Sequence, residues 1–141
     1  MPARLYFEHL PSSHFLVQDG ALIARGRVWV WDLRTYANYT GGLNANAVIA
    51  HDGRQLAGIF RYQKRQSALH ADGTYVWRAF RGRGLGLGLW RLALDIENPN
   101  QVRVHVATLA GAALVKTVKR AYSTLDVKTT YDHTIAPLVS R

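Results

Sequence analysis

Four glycines alternate with other residues where an apolar segment begins, in the stretch WRAFRGRGLGLGLWRLALD from Trp77 to Asp95. Glycine destabilises a helix by about 1 kcal/mol relative to alanine, so glycines clustered at a helix entrance indicate that bare backbone is needed there. The apolar residues that follow recur at spacings of four, three and four, which predicts an amphipathic helix. Its predicted buried stripe is Leu85, Leu89, Leu92 and Ile96. Asn98-Pro99 would end this helix.

The segments around this helix predict a sheet. NAVIAHDGRQLAGIFRYQKR, from Asn46, indicates two strands joined by an Asp52-Gly53 turn. ALHADGTYVWRAF predicts a third strand, in which Asp72-Gly73 marks either a second turn or a bulge. After the helix, QVRVHVAT predicts a strand, LAGAALVKTVKRAY a second helix, and LDVKTTYDHTIAPLV one or two closing strands. This order predicts an α/β fold with a mixed, mostly antiparallel sheet flanked by helices.

Residues 1 to 45 carry the weakest pattern. ARLYFEHL (Ala3 to Leu10) predicts a first strand, and RVWVWDL (Arg27 to Leu33) predicts a strand buried on both faces. PSSHFLVQDGALIARG and DLRTYANYTGGL could each hold a short helix, the second beginning at Asp32.

Length and composition narrow the class of protein. At 141 residues, 48% of them apolar, the chain is expected to form one domain spanning 1–141, as a monomer or small homo-oligomer. The absence of cysteine excludes disulfides and cysteine nucleophiles and fits a reducing compartment, so a cytoplasmic location is expected. No signal-peptide or membrane-spanning run is present in the sequence, so no membrane partner is expected.

The formal charge of +9 predicts an anionic partner, which could be nucleic acid, an acidic protein or a phosphorylated cofactor. The glycine cluster gives this charge a place, because a helix N-terminus offers unpaired amides and glycines let a phosphate approach them. The dinucleotide pattern G-x-G-x-x-G fails, since its third glycine would fall on Leu87 or Leu89. The P-loop pattern fails for want of a lysine, and RGRGLG lacks the aromatic residues that stack on RNA bases.

The pattern Arg/Gln-x-x-Gly-x-Gly/Ala does fit, over Arg81 to Gly86. This stretch resembles the acyl-CoA-binding motif of the GNAT superfamily of N-acyltransferases. Val76 stands where the fourth strand of that family ends, Phe80 where an aromatic residue is common, and VIAHDGRQLAG looks like the second and third strands. The similarity covers residues 46 to 125, and residues 1 to 45 only by the order of elements. It implies a sheet splayed between the strand ending at Trp77 and the strand Gln101 to Thr108.

The resemblance also implies a ligand, an acyl-CoA, with acetyl-CoA as the expected donor. Backbone groups at the end of the fourth strand would hold the pantetheine arm, and the loop amides would hold the pyrophosphate, with two arginines adding charge. The residues so implied are Thr74, Tyr75, Val76, Arg81, Gly82, Arg83, Gly84, Leu85, Gly86 and Leu87. Gly88 lies beyond the motif and would let the helix pack closely on the sheet.

Acyl transfer needs a neutral amine, and an alkyl ammonium has a pKa of about 10, so a base must take its proton. His105, which alternates with the valines of its strand, is the first candidate; the alternative is a histidine that only packs or hydrogen-bonds within the sheet. Asp72 and His70 are further candidates, each also explained as a turn residue. Tyr122 and Tyr131 could reprotonate the thiolate or could be ordinary core or rim aromatics.

The pattern of the family's protein N-acetyltransferases is broken in this chain. They often carry E-V-x-x-x-N-x-x-A-x-x-L-Y-x-x-x-G-F, aligned here with HVATLAGAALVKTVKRAY. His105 replaces the glutamate, Ala110 the asparagine and Thr117 the tyrosine, whose acidity a threonine hydroxyl lacks. The histidines are scattered singly, with no H-x-x-x-H or G-x-S-x-G motif, so neither a metal nor a hydrolytic triad is expected.

The sequence therefore predicts an N-acetyltransferase that moves an acetyl group from acetyl-CoA to an amine. The first expectation for the acceptor is a protein lysine or N-terminus, and the second is a small amine or antibiotic. The alternative is a GNAT-fold protein with weak or no catalysis that binds an acidic protein, a nucleoprotein or nucleic acid.

Overall fold

The computed structural model describes residues 4–18, 21–30 and 45–139. Within these ranges the strands are β1 (Tyr6–Leu10), β2 (Phe15–Gln18), β3 (Ala21–Ala24), β4 (Arg27–Val30), β5 (Asn46–His51), β6 (Leu56–Arg65), β7 (Ala68–Val76), β8 (Gln101–Val106) and β9 (Asp126–Tyr131). The α-helices are α1 (Leu85–Glu97), α2 (Leu109–Ala121) and α3 (Ala136–Val139), and short 3-10 helices occur at Ser12–His14 and Arg78–Phe80.

The strands form two sheets. The larger has the order β1-β5-β6-β7-β8-β9, and the smaller has the order β2-β3-β4. Pairing is antiparallel from β1 to β7 and throughout the small sheet, whereas β8 pairs in parallel with both β7 and β9. Parallel neighbours need a crossover connection, and α1 and α2 supply the two that this sheet requires. The predicted α/β class and the mostly antiparallel sheet are confirmed.

The two central parallel strands separate partway along their length. β7 pairs with β8 only from Ala68 to Ala71, opposite Gln101 to Val104, although β7 continues to Val76 and β8 to Val106. The sheet is therefore splayed at the place that the sequence predicts.

A bulge in β7 lies at the start of this splay. Ala71 pairs with Tyr62 and Gly73 pairs with Arg61, so Asp72 is an extra residue with no partner position on β6. Of the two interpretations of Asp72-Gly73, the bulge is the one observed. Because one extra residue inverts the alternation of side chains, Ala71 and Thr74 face the same side of the sheet although they are three residues apart.

Helix α1 begins directly after the glycines, at Leu85, and packs on one face of the large sheet. Its buried residues are Leu85, Leu89, Trp90, Ala93 and Leu94. The predicted stripe is wrong at its C-terminal end, where Ile96 is 43% exposed and Leu92 only partly buried. The buried face extends to Trp90 and Leu94, which at about 100° per residue lie about 140° and 180° around the helix from Leu85, so this face is wider than the predicted stripe.

The other face of the large sheet is covered in part by the small sheet. Leu22 and Trp29 from the small sheet pack with Ile49 and Ile59 from the large one. The helix predicted in PSSHFLVQDGALIARG is therefore wrong beyond the 3-10 turn at Ser12–His14, since the segment forms β2 and β3. The hydrophobic face of the large sheet stabilises strands that pack on it. This tertiary contact outweighs the weak helical pattern of the segment.

Three further predictions concern β4, the closing segment and a segment outside the described ranges. β4 is not buried on both faces, because Val28 is 62% exposed while Trp29 is buried. The closing segment forms one strand, β9, and then the short α3, because Asp132 accepts hydrogen bonds from the Thr134 amide and hydroxyl and turns the chain. DLRTYANYTGGL, the other predicted helix, lies outside the described residues.

Candidate active site in the splay between two parallel strands

A cleft of about 770 Å³ occupies the splay between β7 and β8. The end of β7 forms one wall, and β8 with the first turns of α2 forms the other. The loop after Phe80 and the first turn of α1 close one end. Each element is placed by the topology, since α1 must begin where β7 ends and α2 where β8 ends.

The loop into α1 depends on two glycines with left-handed backbone. Gly82 has φ +80° and Gly84 has φ +71°, and a Cβ at either position would meet nothing within 4 Å. Glycine is therefore required at these positions for backbone conformation and not for lack of space. The glycine cluster opens a helix, as its position predicts.

The N-terminus of α1 is left uncapped by side chains. Gly84 is the N-cap, no acidic residue lies in the first turn, and the first helical hydrogen bond runs from the Gly88 amide to the Gly84 carbonyl at 3.1 Å. The amides of residues 85–87 precede the helix's own hydrogen bonds, and these residues line the cleft. The cleft thus contains amide donors at the positive end of a helix dipole, which suits an anion.

The later glycines allow close packing. A Cβ on Gly86 would lie 3.2 Å from a methyl carbon of Leu114 on α2, and one on Gly88 would lie 3.2 Å from the Phe7 ring on β1. This contact agrees with the interpretation of Gly88 as a packing position.

The two arginines of the motif are placed differently. Arg81 lines the cleft, where its Nε donates to the Val76 carbonyl at 3.0 Å and its guanidinium donates to the Tyr75 hydroxyl at 3.2 Å. Arg83 is the one member of the predicted ligand set that does not line the cleft; its guanidinium lies 5.5 Å from the Phe80 ring centre. Arg81 therefore ties the loop to the end of β7.

Trp90 is a residue of the cleft that sequence reasoning missed. It is buried, stacks on Phe60 with ring centres 4.5 Å apart, and donates its indole N–H to the Thr74 hydroxyl at 2.8 Å. Trp90 follows Gly86 by four residues and so shares its helix face, which was the available signal.

His105 and Asp72 reach the opening from β8 and β7. Both line the cleft and also line a second groove of about 580 Å³ on the sheet face opposite α1. His105 is exposed, with its Nδ1 2.9 Å from the Thr130 hydroxyl. Partial desolvation by the surrounding protein raises the pKa of the Asp72 carboxyl. The positive charges of Arg61 and Arg65 offset this effect only in part.

The other candidates lie elsewhere. His70 lines the second groove only. Thr117 lines the cleft, but its hydroxyl donates to the Ala113 carbonyl of its own helix. Neither Tyr122 nor Tyr131 lines the cleft. Burial, and then the Asp95 carboxylate, raise the pKa of the Tyr122 hydroxyl.

Among the described residues, neither a metal-binding cluster nor a helix that could span a membrane is found. Residues 4–18, 21–30 and 45–139 contain no group of three or more histidines or carboxylates arranged to bind a metal ion. Across the same part of the chain, no helix has both the length and the apolar character needed to cross a membrane.

Comparison with known proteins yields matches among solved structures alone: no family model matches the sequence, and no curated protein does. The chain is similar to a structure described as IAA acetyltransferase from Bacillus cereus ATCC 14579. The TM-score is 0.53 and the identity 17%, over 82% of this chain and 75% of that one.

Two other solved structures also match, at TM-scores too low to support an argument. One is AAC(6')-Iy in complex with the bisubstrate analogue CoA-S-monomethyl-acetylneamine, at a TM-score of 0.42 and 13% identity over 55% of this chain and 59% of that one. The other is described as an acetyltransferase from the GNAT family from Bacteroides thetaiotaomicron, at 0.40 and 15% over 64% and 50%. The sheet order, the splayed parallel strands and the first similarity together establish the architecture: the chain shares the fold of the Bacillus cereus acetyltransferase structure, as its resemblance to the GNAT superfamily implies.

Proposed function

We propose that this protein transfers an acetyl group from acetyl-CoA to an amine, with the cleft between β7 and β8 as the donor site. The observation that carries the proposal is the splay itself. β7 and β8 part beyond Ala71 and Val104, next to a helix N-terminus whose first amides are uncapped and whose loop has two left-handed glycines. A narrow cleft with an anion-binding end suits a long ligand that carries a pyrophosphate.

The residues of the cleft divide the donor between them in this proposal. The amides from Gly82 to Leu87 receive the pyrophosphate, and the backbone of Thr74 and Tyr75 holds the pantetheine arm. The Val76 carbonyl already accepts a hydrogen bond from Arg81, so Arg81 acts by fixing the end of β7 and the loop together. Trp90 fixes Thr74 from the other side of the strand.

The base acts where the cleft meets the second groove. The acceptor ammonium gives one proton to the base, and its neutral nitrogen attacks the thioester carbon. As the C–S bond breaks, the nitrogen loses its second proton to give the amide, and the CoA thiolate that is released takes a proton from solvent. In the tautomer in which Nδ1 of His105 donates to the Thr130 hydroxyl, Nε2 is free to accept the amine proton. Asp72 is the second candidate, because a carboxylate with a raised pKa is a stronger base than an ordinary one.

A protein lysine or N-terminal amine is the first candidate acceptor, and a small amine is the second. A specific observation favours one rival function, a CoA-binding protein with weak or no catalysis. Among the described residues, the hydroxyl at the position of the family's tyrosine is bonded within its own helix, and neither Tyr122 nor Tyr131 lines the cleft. We favour the enzyme because a thiolate with a pKa of about 8.5 leaves without a dedicated acid.

A matched pair of glycine variants tests the donor site. Valine at Gly84 would have to adopt φ +71°, and valine at Gly26 in the turn after β3 would have to adopt φ +77°, each with nothing within 4 Å of its Cβ. Both variants should lose about 1–2 kcal/mol of stability from backbone strain. Only Gly84→Val should lose acetyl-CoA affinity, by at least about tenfold, because only that loop would present amides to the ligand.

Isothermal titration calorimetry with acetyl-CoA and with free CoA provides the measurement, and thermal unfolding checks that both variants are folded. Equal affinity of the Gly84→Val variant and the parent protein would count decisively against the site. Mass spectrometry of cell extract incubated with labelled acetyl-CoA, with and without the protein, then identifies the acceptor. If acetyl-CoA binds and no acceptor gains label, the binding-protein function takes its place.

A further inference from the structure

The second groove has a distinctive set of side chains. It lies across β6 to β9 on the face opposite α1, beyond the edge of the small sheet, and we call it the basic groove. Its polar lining residues are Gln63, Arg65, His70, Asp72, Arg103, His105, Lys128 and Thr130.

The register of the sheet brings three of these basic side chains into a row. His70 pairs with Arg103, and Arg103 pairs with Lys128, so the three side chains stand on neighbouring strands about 4.8 Å apart. Arg103 precedes His105 by two residues on the same face of β8, a distance of about 7 Å. The row of cations therefore runs beside the opening where Asp72 and His105 meet the cleft.

The groove has three permanent cations, Arg65, Arg103 and Lys128, and the first two donate hydrogen bonds to neutral side chains. Arg65 donates to the Gln63 amide oxygen at 2.7 and 3.2 Å, and Arg103 donates to the Gln101 amide oxygen at 2.8 Å. A guanidinium has five N–H donors, so each of these is oriented and still has donors for a carboxylate.

The lining of the groove carries more permanent cations than carboxylates. Lys128 meets Asp126 at 3.6 Å at the exposed rim, and Asp126 also accepts from Gln101 at 2.8 Å. Among the described residues that line the groove, Asp72 is the only one with a carboxylate, and the buried Arg61 lies beside it. The described lining of the groove thus carries three permanent cations, Arg65, Arg103 and Lys128, and one carboxylate, Asp72, while Asp126 lies at the rim and Asp132 lies near His105. The lining itself is therefore net positive.

We infer that the basic groove is the acceptor site of the proposed acetyltransferase and that it selects an amine whose neighbouring groups are carboxylates. This inference rests on the proposed function. The cations lower the pKa of a bound ammonium, which favours the neutral amine that the reaction needs, but they also repel the ammonium as it arrives. Carboxylates on the acceptor remove that repulsion and pair with Arg65, Arg103 and Lys128.

Nucleic acid is the rival ligand for a positive surface. The groove has no Phe, Tyr or Trp among its described lining residues on which bases could stack, and Asp72 would repel a phosphate at its centre. An acceptor amine with carboxylates uses both features, because Asp72 faces the ammonium while the cations face the acid groups. The carboxylates could belong to an acidic peptide or to a small amino acid.

The test uses three probes with the full chain in the presence of free CoA. The first is an N-acetylated decapeptide with one lysine flanked by glutamates, the second is the same peptide with glutamines, and the third is Nα-acetyl-lysine. Calorimetry measures binding, and an acetyl-CoA assay measures kcat/KM. The glutamate peptide should bind at least about tenfold more tightly than the glutamine peptide, and raising salt should reduce the difference. Tighter binding of Nα-acetyl-lysine would assign the site to a small amino acid instead of a peptide.

Two triple variants with the same loss of charge show where the selection occurs. Arg65→Gln, Arg103→Gln and Lys128→Gln together should abolish the preference for the glutamate peptide and leave acetyl-CoA affinity unchanged. Arg54→Gln, Arg91→Gln and Lys119→Gln together remove three exposed cations elsewhere and should keep most of the preference.

The inference is wrong if the parent protein does not distinguish the two peptides, or if the two triple variants lose the preference equally. It is also wrong if a thymidine oligonucleotide displaces the glutamate peptide and only the groove variants lose the oligonucleotide. Because binding is measured without turnover, a failure of catalysis can be distinguished from a failure of binding. Peptide that binds without being acetylated would refute the proposed function but would leave the selectivity of the groove for acidic peptides intact.

Discussion

His105 and Asp72 approach the same opening from different strands, and their surroundings differ. Both side chains are exposed, but His105 is bonded to a hydroxyl, whereas Asp72 lies in a bulge near Arg61 and the surrounding protein raises the pKa of its carboxyl. A histidine exchanges protons near neutral pH without help, while a carboxylate needs a raised pKa to do so efficiently. This difference favours His105 as the proposed base. Asp72 is then proposed to face the ammonium.

The role of His105 is tested by substitution. General-base catalysis contributes about 10² to 10⁴-fold, so His105→Ala should lower kcat at least about a hundredfold near pH 7. Acetyl-CoA affinity measured by calorimetry should change little. Thr117→Val should have little effect on either quantity, since that hydroxyl is bonded within α2.

A second substitution separates the base from a residue that orients it. Thr130→Val removes the hydroxyl next to Nδ1 and should shift the pH profile of kcat while leaving the profile measurable. If His105→Ala turns over at the parental rate, His105 is a strand residue without a catalytic task. In that case Asp72→Asn becomes the variant that should abolish the rate.

Helix α1 packs tightly against β6 at Gly58. A Cβ there would lie 3.0 Å from a methyl carbon of Leu89 and 3.2 Å from the Tyr75 carbonyl. We expect Gly58→Ala to destabilise the protein by about 1 kcal/mol or more, because overpacking costs typically 1–3 kcal/mol and the gain from replacing glycine is about 0.5–1 kcal/mol. Denaturant unfolding measures the change.

Gly86→Ala is the matched control for this prediction. A Cβ there would meet only the flexible end of Leu114, at 3.2 Å, and alanine is the better helix residue. Stability equal to or above that of the parent is expected. A similar loss of stability in both variants would contradict the view that the strand backbone, and not the side chains, limits the approach of α1.

The strands and helices differ in how well the sequence alone predicts them. The hairpin of β5 and β6, α1, β8 and α2 could be predicted because each shows a periodicity and a recognisable end. The small sheet could not, since β2 to β4 are short and their order depends on a hydrophobic face supplied by β5 and β6. Whether Asp72 lay in a turn or a bulge was decided by pairing with β6, which local sequence does not encode.

The candidate site was predictable in part for the same reason. The loop from Arg81 to Leu87 has a local pattern, and all of these residues except Arg83 line the cleft. Thr130 and the row of basic side chains come together through the parallel register of β7, β8 and β9, and Trp90 reaches Thr74 through the packing of α1 on the sheet; both are long-range properties. Their assignment to a function remains a proposal.

A partly buried polar network joins the first strand to the core. His9 lies 3.1 Å from the Tyr62 hydroxyl, which donates to Glu97 at 2.8 Å, so the network connects β1, β6 and α1. Burial lowers the pKa of His9, an effect that Glu97 opposes in part and Arg25 and His14 reinforce. Burial and the Glu97 carboxylate raise the pKa of Tyr62, which keeps its hydroxyl protonated.

This network predicts a pH dependence of stability. Because the pKa of His9 is lower in the folded state than the ordinary value of 6.5, the unfolded chain binds the proton more readily. The stabilisation is present above pH 6.5 and is lost as the pH falls through the folded pKa. Thermal unfolding between pH 7.5 and 5 should show a smaller decline for His9→Gln than for the parent.

His133→Gln is the control, because His133 is 92% exposed and next to Asp132. Its melting temperature should follow that of the parent over the same range. A parental decline that is identical in the His9→Gln variant would assign the acid sensitivity to other groups.

The bulge at Asp72 also determines which changes in chain length the protein can tolerate. With Asp72 as the extra residue, Thr74 faces Trp90 while Tyr75 packs towards the small sheet. Deleting or inserting one residue there would exchange these faces along the rest of β7 and direct Tyr75 towards α1. Homologous chains should therefore vary in length at the turns after β3 and β5, which affect no face, and keep a constant count from Ala71 to Arg81.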